Sequence, residues 1–176
     1  RYFPSAMDLK KIIRSFPDWP KPGVIFRDIM PLLKNPQALK YTVDEIMRQW
    51  SGKEIDLIAG IESRGFIFGA LLAQHLQKGF VAIRKEGKLP GETLRVSYTI
   101  EYGSATMEIQ KDAVKPGDRV LIVDDLLATG GTAKAAAELI EKLGGMVVGF
   151  AFVIELLDLK GREKLKGYTV TSLVTY

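Results

Sequence analysis

Residues 120–132 contain the side chains most typical of a functional site in this chain. The segment reads as a buried strand, an acidic pair, and a glycine- and threonine-containing turn that begins a helix. Gly130 and Gly131 allow a tight turn whose successive N–H groups face one point. The helix that follows adds its free amide groups and its positive dipole end. Thr129 and Thr132 add hydroxyl donors. The pattern predicts a socket for a phosphate monoester.

The acidic pair, Asp124 and Asp125, stands directly before this turn. Carboxylates repel phosphate, so we expect them to accept hydrogen bonds from sugar hydroxyl groups or to help hold Mg²⁺. Either fragment alone also fits an ordinary cap or turn, whereas the whole run describes a ribose 5-phosphate site. Neither G-x-x-x-x-G-K-[ST] nor G-x-G-x-x-G occurs, so nucleoside triphosphate and dinucleotide sites lose their usual support.

Apolar periodicity predicts alternating strands and helices around this run. The predicted strands are 56–61, 80–84, 94–100, 105–110, 119–124, 146–155 and 168–174, and the predicted helices are 7–16, 36–52, 65–77 and 132–143. Asn35 followed by Pro36 predicts the start of the second helix. The alternation favours an α/β fold, a doubly wound, mainly parallel sheet flanked by helices, in which ligands bind beyond the carboxyl ends of the strands.

Composition narrows the classes of site and partner. The absence of cysteine excludes a disulfide framework, a thiolate metal site and a cysteine nucleophile, and it fits a reducing compartment. A single histidine, His75, cannot form a histidine metal cluster and is expected on the surface. The net charge of +4 fits either nucleic acid or a polyphosphate small molecule. No apolar run approaches the ~20 residues of a membrane span, and no secretory signal is visible.

Residues 120–132 resemble the phosphoribosyl pyrophosphate (PRPP) fingerprint of the type I phosphoribosyltransferases. Further segments resemble the adenine-specific members of that family; these are 16–18, 22–28, 58–66, 83–91, 97–103 and 123–132. The resemblance implies one domain over residues 7–176, made of a small N-terminal hood (about 7–35), a core (about 36–176) and a flexible β-hairpin lid (about 89–104). Residues 1–6 precede Met7 and show no helical pattern, so we expect an expression remnant.

The resemblance implies an enzyme that transfers the 5-phosphoribosyl group from PRPP to adenine, giving AMP and pyrophosphate (EC 2.4.2.7). The residues it implies for PRPP are Asp124, Asp125, Ala128, Thr129, Gly130, Gly131 and Thr132. Mg²⁺ is expected to be held mainly by PRPP, with the two aspartates nearby and no strong direct protein ligand.

A basic set on the other strand ends is implied to bind pyrophosphate: Ser63, Arg64, Arg84, Lys85 and Lys88. Arg64 and Lys88 are expected to act in catalysis by stabilising the leaving group. The alternative for these side chains is a solvated charged face. The family also implies a homodimer in which basic residues of the partner, extended here to Arg84, reach the active site, and a non-proline cis peptide that would fall at Ser63–Arg64.

Adenine is implied to bind at Ile25, Phe26 and Arg27, with Leu126 on the other side of the ring. Backbone groups of this proline-braced hood would read the exocyclic amine, while Phe26 is alternatively a core residue. Glu101 on the lid is the expected catalytic acceptor of the purine proton, and its alternative is a hairpin glutamate in water.

Two other functions compete with this hypothesis. One is a PRPP-sensing regulator that binds nucleic acid, for which the segment before Val24 leaves no room for a winged-helix module. The other is a phosphoribosyltransferase for another purine base, such as xanthine. We therefore expect a cytoplasmic homodimeric enzyme whose partners are small molecules, without nucleic acid and without membrane.

Overall fold

The computed structural model describes residues 6–100 and 102–176. They form two compact units, with the boundary between residues 48 and 49. The expectation for residues 1–6 falls almost entirely outside the described residues, and the predicted proton acceptor Glu101 also lies outside them. The predicted single domain, with its boundary between hood and core near residue 35, stays a prediction.

The first unit contains short elements. They are α1 Leu9–Ile12, β1 Arg14–Pro17, β2 Ile25–Asp28, α2 Met30–Lys34 and most of α3 Pro36–Gln49. The predicted start of α3 is confirmed, because the Oδ1 atom of Asn35 accepts hydrogen bonds from the backbone N–H groups of Gln37 and Ala38, both at 3.1 Å.

The predicted helix 7–16 is wrong in its second half. Only α1 is helical, and β1 pairs antiparallel with β2, so that Phe16 lies opposite Phe26. The Arg14 side chain fixes this pairing by donating to Asp28 Oδ2 at 3.1 and 2.6 Å. An apolar i, i+3, i+4 pattern in a short segment does not show whether another segment will pair with it. Here the pairing with β2 makes residues 14–17 a strand.

The second unit is built on a seven-stranded sheet. Its strands are β3 Leu57–Ile61, β4 Gly79–Lys85, β5 Thr93–Ile100, β6 Gly103–Gln110, β7 Arg119–Leu127, β8 Met146–Glu155 and β9 Val170–Thr175. The strand order is β5-β6-β4-β3-β7-β8-β9. The five neighbours β4, β3, β7, β8 and β9 pair in parallel. The β5–β6 hairpin is antiparallel and pairs antiparallel with β4 at one edge. The predicted mainly parallel α/β fold is confirmed. β7 continues to Leu127, three residues beyond its predicted end, and therefore carries the acidic pair on the strand.

Two helices cover the sheet, α4 Gly65–Leu76 and α5 Gly131–Lys142. Ala59 and Ile61 of β3 pack in the buried cluster that includes α5, whereas the alternate residue Gly60 faces α4. Because successive strand residues point to opposite faces, the two helices lie on opposite sides of the sheet. Two 3₁₀ helices, Leu157–Leu159 and Gly161–Leu165, connect β8 to β9.

None of the helices in the described part of the chain has the length and apolar character needed to cross a bilayer.

Candidate active site

The phosphate loop, residues 128–131, joins the carboxyl end of β7 to the start of α5. Gly130 has a φ of +87°, in the left-handed region, and a Cβ there would lie 2.6 Å from the carbonyl oxygen of Gly161. Only glycine fits this position, since the backbone conformation and the space both exclude a side chain. The first amide groups of α5 have no acceptor within the helix, so they are available to an anion.

The acidic pair lies at the end of β7 beside this loop. Asp125 is buried, and its backbone N–H donates to Asp124 Oδ1 at 2.8 Å. Burial, reinforced by the charge of Asp125, raises the pKa of Asp124 well above its ordinary value. Two carboxylates held this close favour a hydrogen-bonding or cationic ligand, because a diol or a cation would relieve their repulsion.

The start of α4 approaches the acidic pair closely. A Cβ at Gly65 would lie 2.9 Å from Asp124 Oδ1 and 2.9 Å from the Val123 carbonyl oxygen, so glycine allows the helix to reach β7. Arg64, immediately before it, donates from Nε to Asp125 Oδ2 at 2.5 Å. This ion pair joins the predicted pyrophosphate side to the predicted ribose side within one site.

Glu62, two residues before Arg64, accepts hydrogen bonds from three basic residues. Its Oε1 atom accepts from Arg84 Nε at 3.1 Å and from the Lys85 backbone N–H at 2.8 Å, and its Oε2 atom accepts from Lys88 Nζ at 2.8 Å. The Glu62 side chain is only 6% exposed. Although burial opposes ionisation, the hydrogen bonds from Lys88 and Lys85 and the nearby positive charges lower the pKa of Glu62.

The non-proline cis peptide bond of this loop joins Glu62 and Ser63. The expectation that it would fall at Ser63–Arg64 is wrong by one residue. Residue types do not mark which of two adjacent amides is cis, because tertiary surroundings select the isomer.

A cavity of about 350 Å³ gathers most of the predicted site residues. Those that line it are Ser63, Arg64, Lys85, Asp124, Asp125, Leu126, Ala128, Thr129, Gly130, Gly131 and Thr132. Arg84 and Lys88 are not among the lining residues, but both donate to Glu62, which does line the cavity. In size, this cavity lies within the ordinary range for a small-molecule site. No group of three or more His, Asp or Glu side chains that could hold a metal occurs within residues 6–100 and 102–176.

Sequence reasoning missed the polar residues Glu62 and Tyr98 of this site, as well as apolar lining residues such as Met107 and Phe152. Both polar residues line the cavity, and Tyr98 of β5 bonds its hydroxyl group to Thr132 Oγ1 at 2.6 Å. Glu62 stands inside the predicted pyrophosphate loop, but a carboxylate was not expected to serve an anion site. For Tyr98 the one sequence signal was the alternation Leu94, Val96, Tyr98, which places its ring on the inward face of the hairpin.

The predicted adenine-binding segment forms β2 of the first unit. The Phe26 ring packs edge-on against Trp19 with centroids 4.8 Å apart, and the Arg27 guanidinium donates to Ser15 Oγ at 2.7 Å. Ile25 is 52% exposed. A groove beside Phe26 is lined by Arg14, Phe16, Trp19, Phe26 and Asp28. Phe26 therefore borders open space as well as packing against a neighbour.

Residues 32–174 match the family model described as a phosphoribosyl transferase domain. The chain is 56% identical over 170 residues to the adenine phosphoribosyltransferase of Nitrosopumilus maritimus, covering 97% of this chain and 100% of that protein.

Solved structures agree with this match. The adenine phosphoribosyltransferase of Thermoanaerobacter pseudethanolicus superposes with a TM-score of 0.93 and 52% identity, covering 95% of this chain and 97% of that one. The Saccharomyces cerevisiae enzyme, in a complex with D-2,5-dideoxy-2,5-imino-altritol 1,6-bisphosphate and adenine, gives a TM-score of 0.89 and 44% identity, covering 94% and 96% of the two chains.

Proposed function

We propose residue roles for a reaction that the relatives identify, since the chain belongs to the phosphoribosyl transferase domain family and, within it, to the adenine phosphoribosyltransferases. The enzyme transfers the 5-phosphoribosyl group of PRPP to adenine, giving AMP and pyrophosphate, a reaction of purine salvage. The resemblance drawn from the sequence is confirmed. Neither a nucleic-acid-binding regulator nor an enzyme for another purine finds support among these relatives.

The observation that carries the residue assignment is the cavity at the carboxyl ends of β3 and β7. It places the phosphate loop, the acidic pair and Arg64 around one space of about 350 Å³. In our proposal the 5-phosphate accepts hydrogen bonds from the backbone amides of residues 128–132, and the hydroxyl groups of Thr129 and Thr132 add to them. Asp124 and Asp125 accept hydrogen bonds from the ribose diol.

The pyrophosphate group is proposed to bind at Ser63, Arg64 and Lys85, with Lys88 and Arg84 supplying further positive charge. Arg64 is paired with Asp125 through Nε, so binding of a diphosphate to its guanidinium group would extend an existing network. Arg64 and Lys88 would stabilise the negative charge that develops on the leaving group. A homodimer also belongs to this proposal, and in it the Arg84 that adds positive charge to each pyrophosphate comes from the partner subunit.

In the chemical step a nitrogen of the adenine imidazole edge attacks the anomeric carbon of PRPP. The new N–C bond forms as the C–O bond to pyrophosphate breaks, and the purine loses a proton. Glu101, which lies outside the described residues, is proposed to accept that proton. The β5–β6 hairpin beside it is proposed to act as the lid that excludes water from the reacting carbon.

Mg²⁺ is proposed to enter with PRPP. The residues present fit this mode, because Asp124 and Asp125 line the cavity, and Mg²⁺ at phosphate substrates commonly uses one or two carboxylates with substrate oxygens and water. When bound, the ion neutralises charge on the diphosphate leaving group.

Adenine is proposed to be read by the backbone of Ile25 and Arg27 and to pack on Phe26, with Leu126 as a second apolar contact. Among the described residues of its own unit, β2 pairs with β1 alone, which supports a free edge for recognition of the base. An edge that recognises the exocyclic amine disfavours hypoxanthine and guanine, whose carbonyl reverses the donor pattern.

We also propose that the enzyme acts in the cytoplasm.

Incubation of the pure protein with PRPP, Mg²⁺ and each purine in turn tests this assignment. We expect AMP from adenine and at most a trace of nucleotide from hypoxanthine, guanine or xanthine. Equal use of hypoxanthine would remove the backbone-reading hypothesis for residues 25–27. Omission of Mg²⁺, with a chelator present, should abolish turnover.

A further inference from the structure

Tyr98 of the β5–β6 hairpin contacts the start of α5 and the phosphate loop before it. Its hydroxyl oxygen lies 2.6 Å from Thr132 Oγ1, and its ring lies over Gly131, where a Cβ would meet Tyr98 Cδ2 at 3.1 Å and Cε2 at 3.2 Å. Tyr98, Gly131 and Thr132 all line the cavity. The lack of a side chain at Gly131 thus allows an aromatic ring of the hairpin to rest on the loop.

Either hydroxyl group can be the donor in the Tyr98–Thr132 hydrogen bond. A phosphate monoester at neutral pH offers mainly acceptor oxygens. A threonine hydroxyl has one proton and two lone pairs. When Thr132 gives its proton to a phosphate oxygen, its lone pairs are left to accept, and Tyr98 becomes the donor.

We propose that Tyr98 is a positioning residue for the phosphate subsite, which donates to Thr132 and thereby directs the Thr132 proton toward the 5-phosphate of PRPP. The proposal rests on the assignment of residues 128–132 as the phosphate subsite. The chain Tyr98 to Thr132 to phosphate ends on an anion, and such hydrogen bonds are stronger than neutral pairs and polarise one another.

The same bond couples phosphate binding to the hairpin. Tyr98 belongs to β5, and the neighbouring inward residue, Val96, is buried in the cluster under α5. A phosphate that fixes Tyr98 as the donor stabilises the hairpin in the position where Tyr98 contacts Thr132. By reciprocity, a hairpin held in that position raises the affinity of the loop for phosphate.

Tyr98→Phe tests the proposal, because it removes the hydroxyl group and keeps the ring on Gly131. We expect the KM for PRPP, and the Kd for ribose 5-phosphate by calorimetry, to rise by about 10-fold, which corresponds to about 1.5 kcal/mol, where the ranges for neutral and for charge-linked hydrogen bonds meet. The kcat at saturating PRPP should stay within about threefold. Tyr168→Phe is the matched control, since it removes a tyrosine hydroxyl bonded to Glu141 at the other end of α5; its KM should stay within twofold.

A double-mutant cycle separates this role from a structural one. In a Thr132→Val background, Tyr98→Phe should raise the KM less than about twofold further, because the partner hydroxyl is gone. In a Thr132→Ser background the full effect should return. Additive losses in the Val background would overturn the proposal, as would a Tyr98→Phe enzyme with unchanged KM and Kd.

The wild-type enzyme is assayed first with adenine and PRPP. Absence of AMP there would refute the proposed function, whereas an active wild type with an unaffected Tyr98→Phe variant would refute the Tyr98 inference alone.

Discussion

The two ends of the cavity are held in place by different interactions. The phosphate loop is shaped by its backbone, with Gly130 at a φ of +87° against the Gly161 carbonyl oxygen. The pyrophosphate side is shaped by ion pairs, in which Glu62 holds Lys88 and Arg84 while Asp125 holds Arg64. The first end is preformed for an anion. The second holds its cations on carboxylates of the same chain and must share or release them when a diphosphate binds.

This difference predicts how each end responds to mutation. A backbone socket should fail when its conformation is blocked, and the loss should be large. An ion-paired socket should lose affinity in steps and should respond to pH, because its partners titrate.

The largest effect is expected from Gly130→Ala. A Cβ at 2.6 Å from the Gly161 oxygen would displace the loop, and displacements of about 1 Å can cost ~100-fold in rate. We expect kcat/KM for PRPP to fall by at least about 100-fold. Gly117→Ala is the matched control, with the same φ of +87° and no atom within 4 Å of the new Cβ, and it should keep activity within twofold. A folded Gly130→Ala enzyme within fivefold of wild type would contradict a backbone socket.

Arg64→Ala should come next. Loss of hydrogen bonds from a charged group costs about 1.5–3 kcal/mol, so kcat/KM for PRPP should fall by roughly 10- to 150-fold. Steady-state kinetics should also show a KM for adenine within threefold of wild type. Arg48→Ala, which removes an exposed pair with Glu45 on α3, should leave both constants unchanged. Equal losses in the two variants would mean that Arg64 acts through general charge alone.

How much the sequence could predict follows the same division. Residues 120–132 are contiguous, and their glycines, threonines and acidic pair mark the phosphate loop before any tertiary contact is known. The partners of Glu62 are 22 to 26 residues away, and Arg64 and Asp125 are 61 residues apart, so no local pattern reports them. The alternation of strands and helices predicted the sheet, whereas β1 depended on Arg14 reaching Asp28.

Glu62→Gln should show the pH response of the ion-paired side. The pKa of Glu62 is lowered in the folded state, so its stabilisation is present above the ordinary value of 4.5 and is lost as the pH falls through the folded value. At pH 7 we expect the free energy of unfolding to drop by about 1–2 kcal/mol. Denaturant unfolding from pH 7 to pH 3 should show this difference shrinking.

Glu45→Gln is the control for this series, since its ion pair with Arg48 lies on an exposed helix surface and should contribute under about 1 kcal/mol. A Glu62→Gln difference that stays constant into acid would contradict the role of the Glu62 charge.

The smallest effect, with the opposite sign, is expected from Asp124→Asn. Burial and Asp125 raise the pKa of Asp124, so the aspartate lowers stability above its ordinary pKa of 3.8 and the penalty disappears in acid. At pH 7 the Asn variant should melt higher, by about 2–4 °C for each 1 kcal/mol gained, while PRPP turnover falls. Thermal scans at pH 7 and pH 3 test this. Asp44→Asn, on the surface pair with Lys40, should give no gain.

A crystal structure of the enzyme with AMP tests the backbone socket most directly. We predict that the 5-phosphate lies among the main-chain N–H groups of residues 128–132, with N···O distances of about 2.7–3.2 Å, and that the ribose diol faces Asp124 and Asp125. A phosphate bound elsewhere, with these amide groups left to water, would contradict the account.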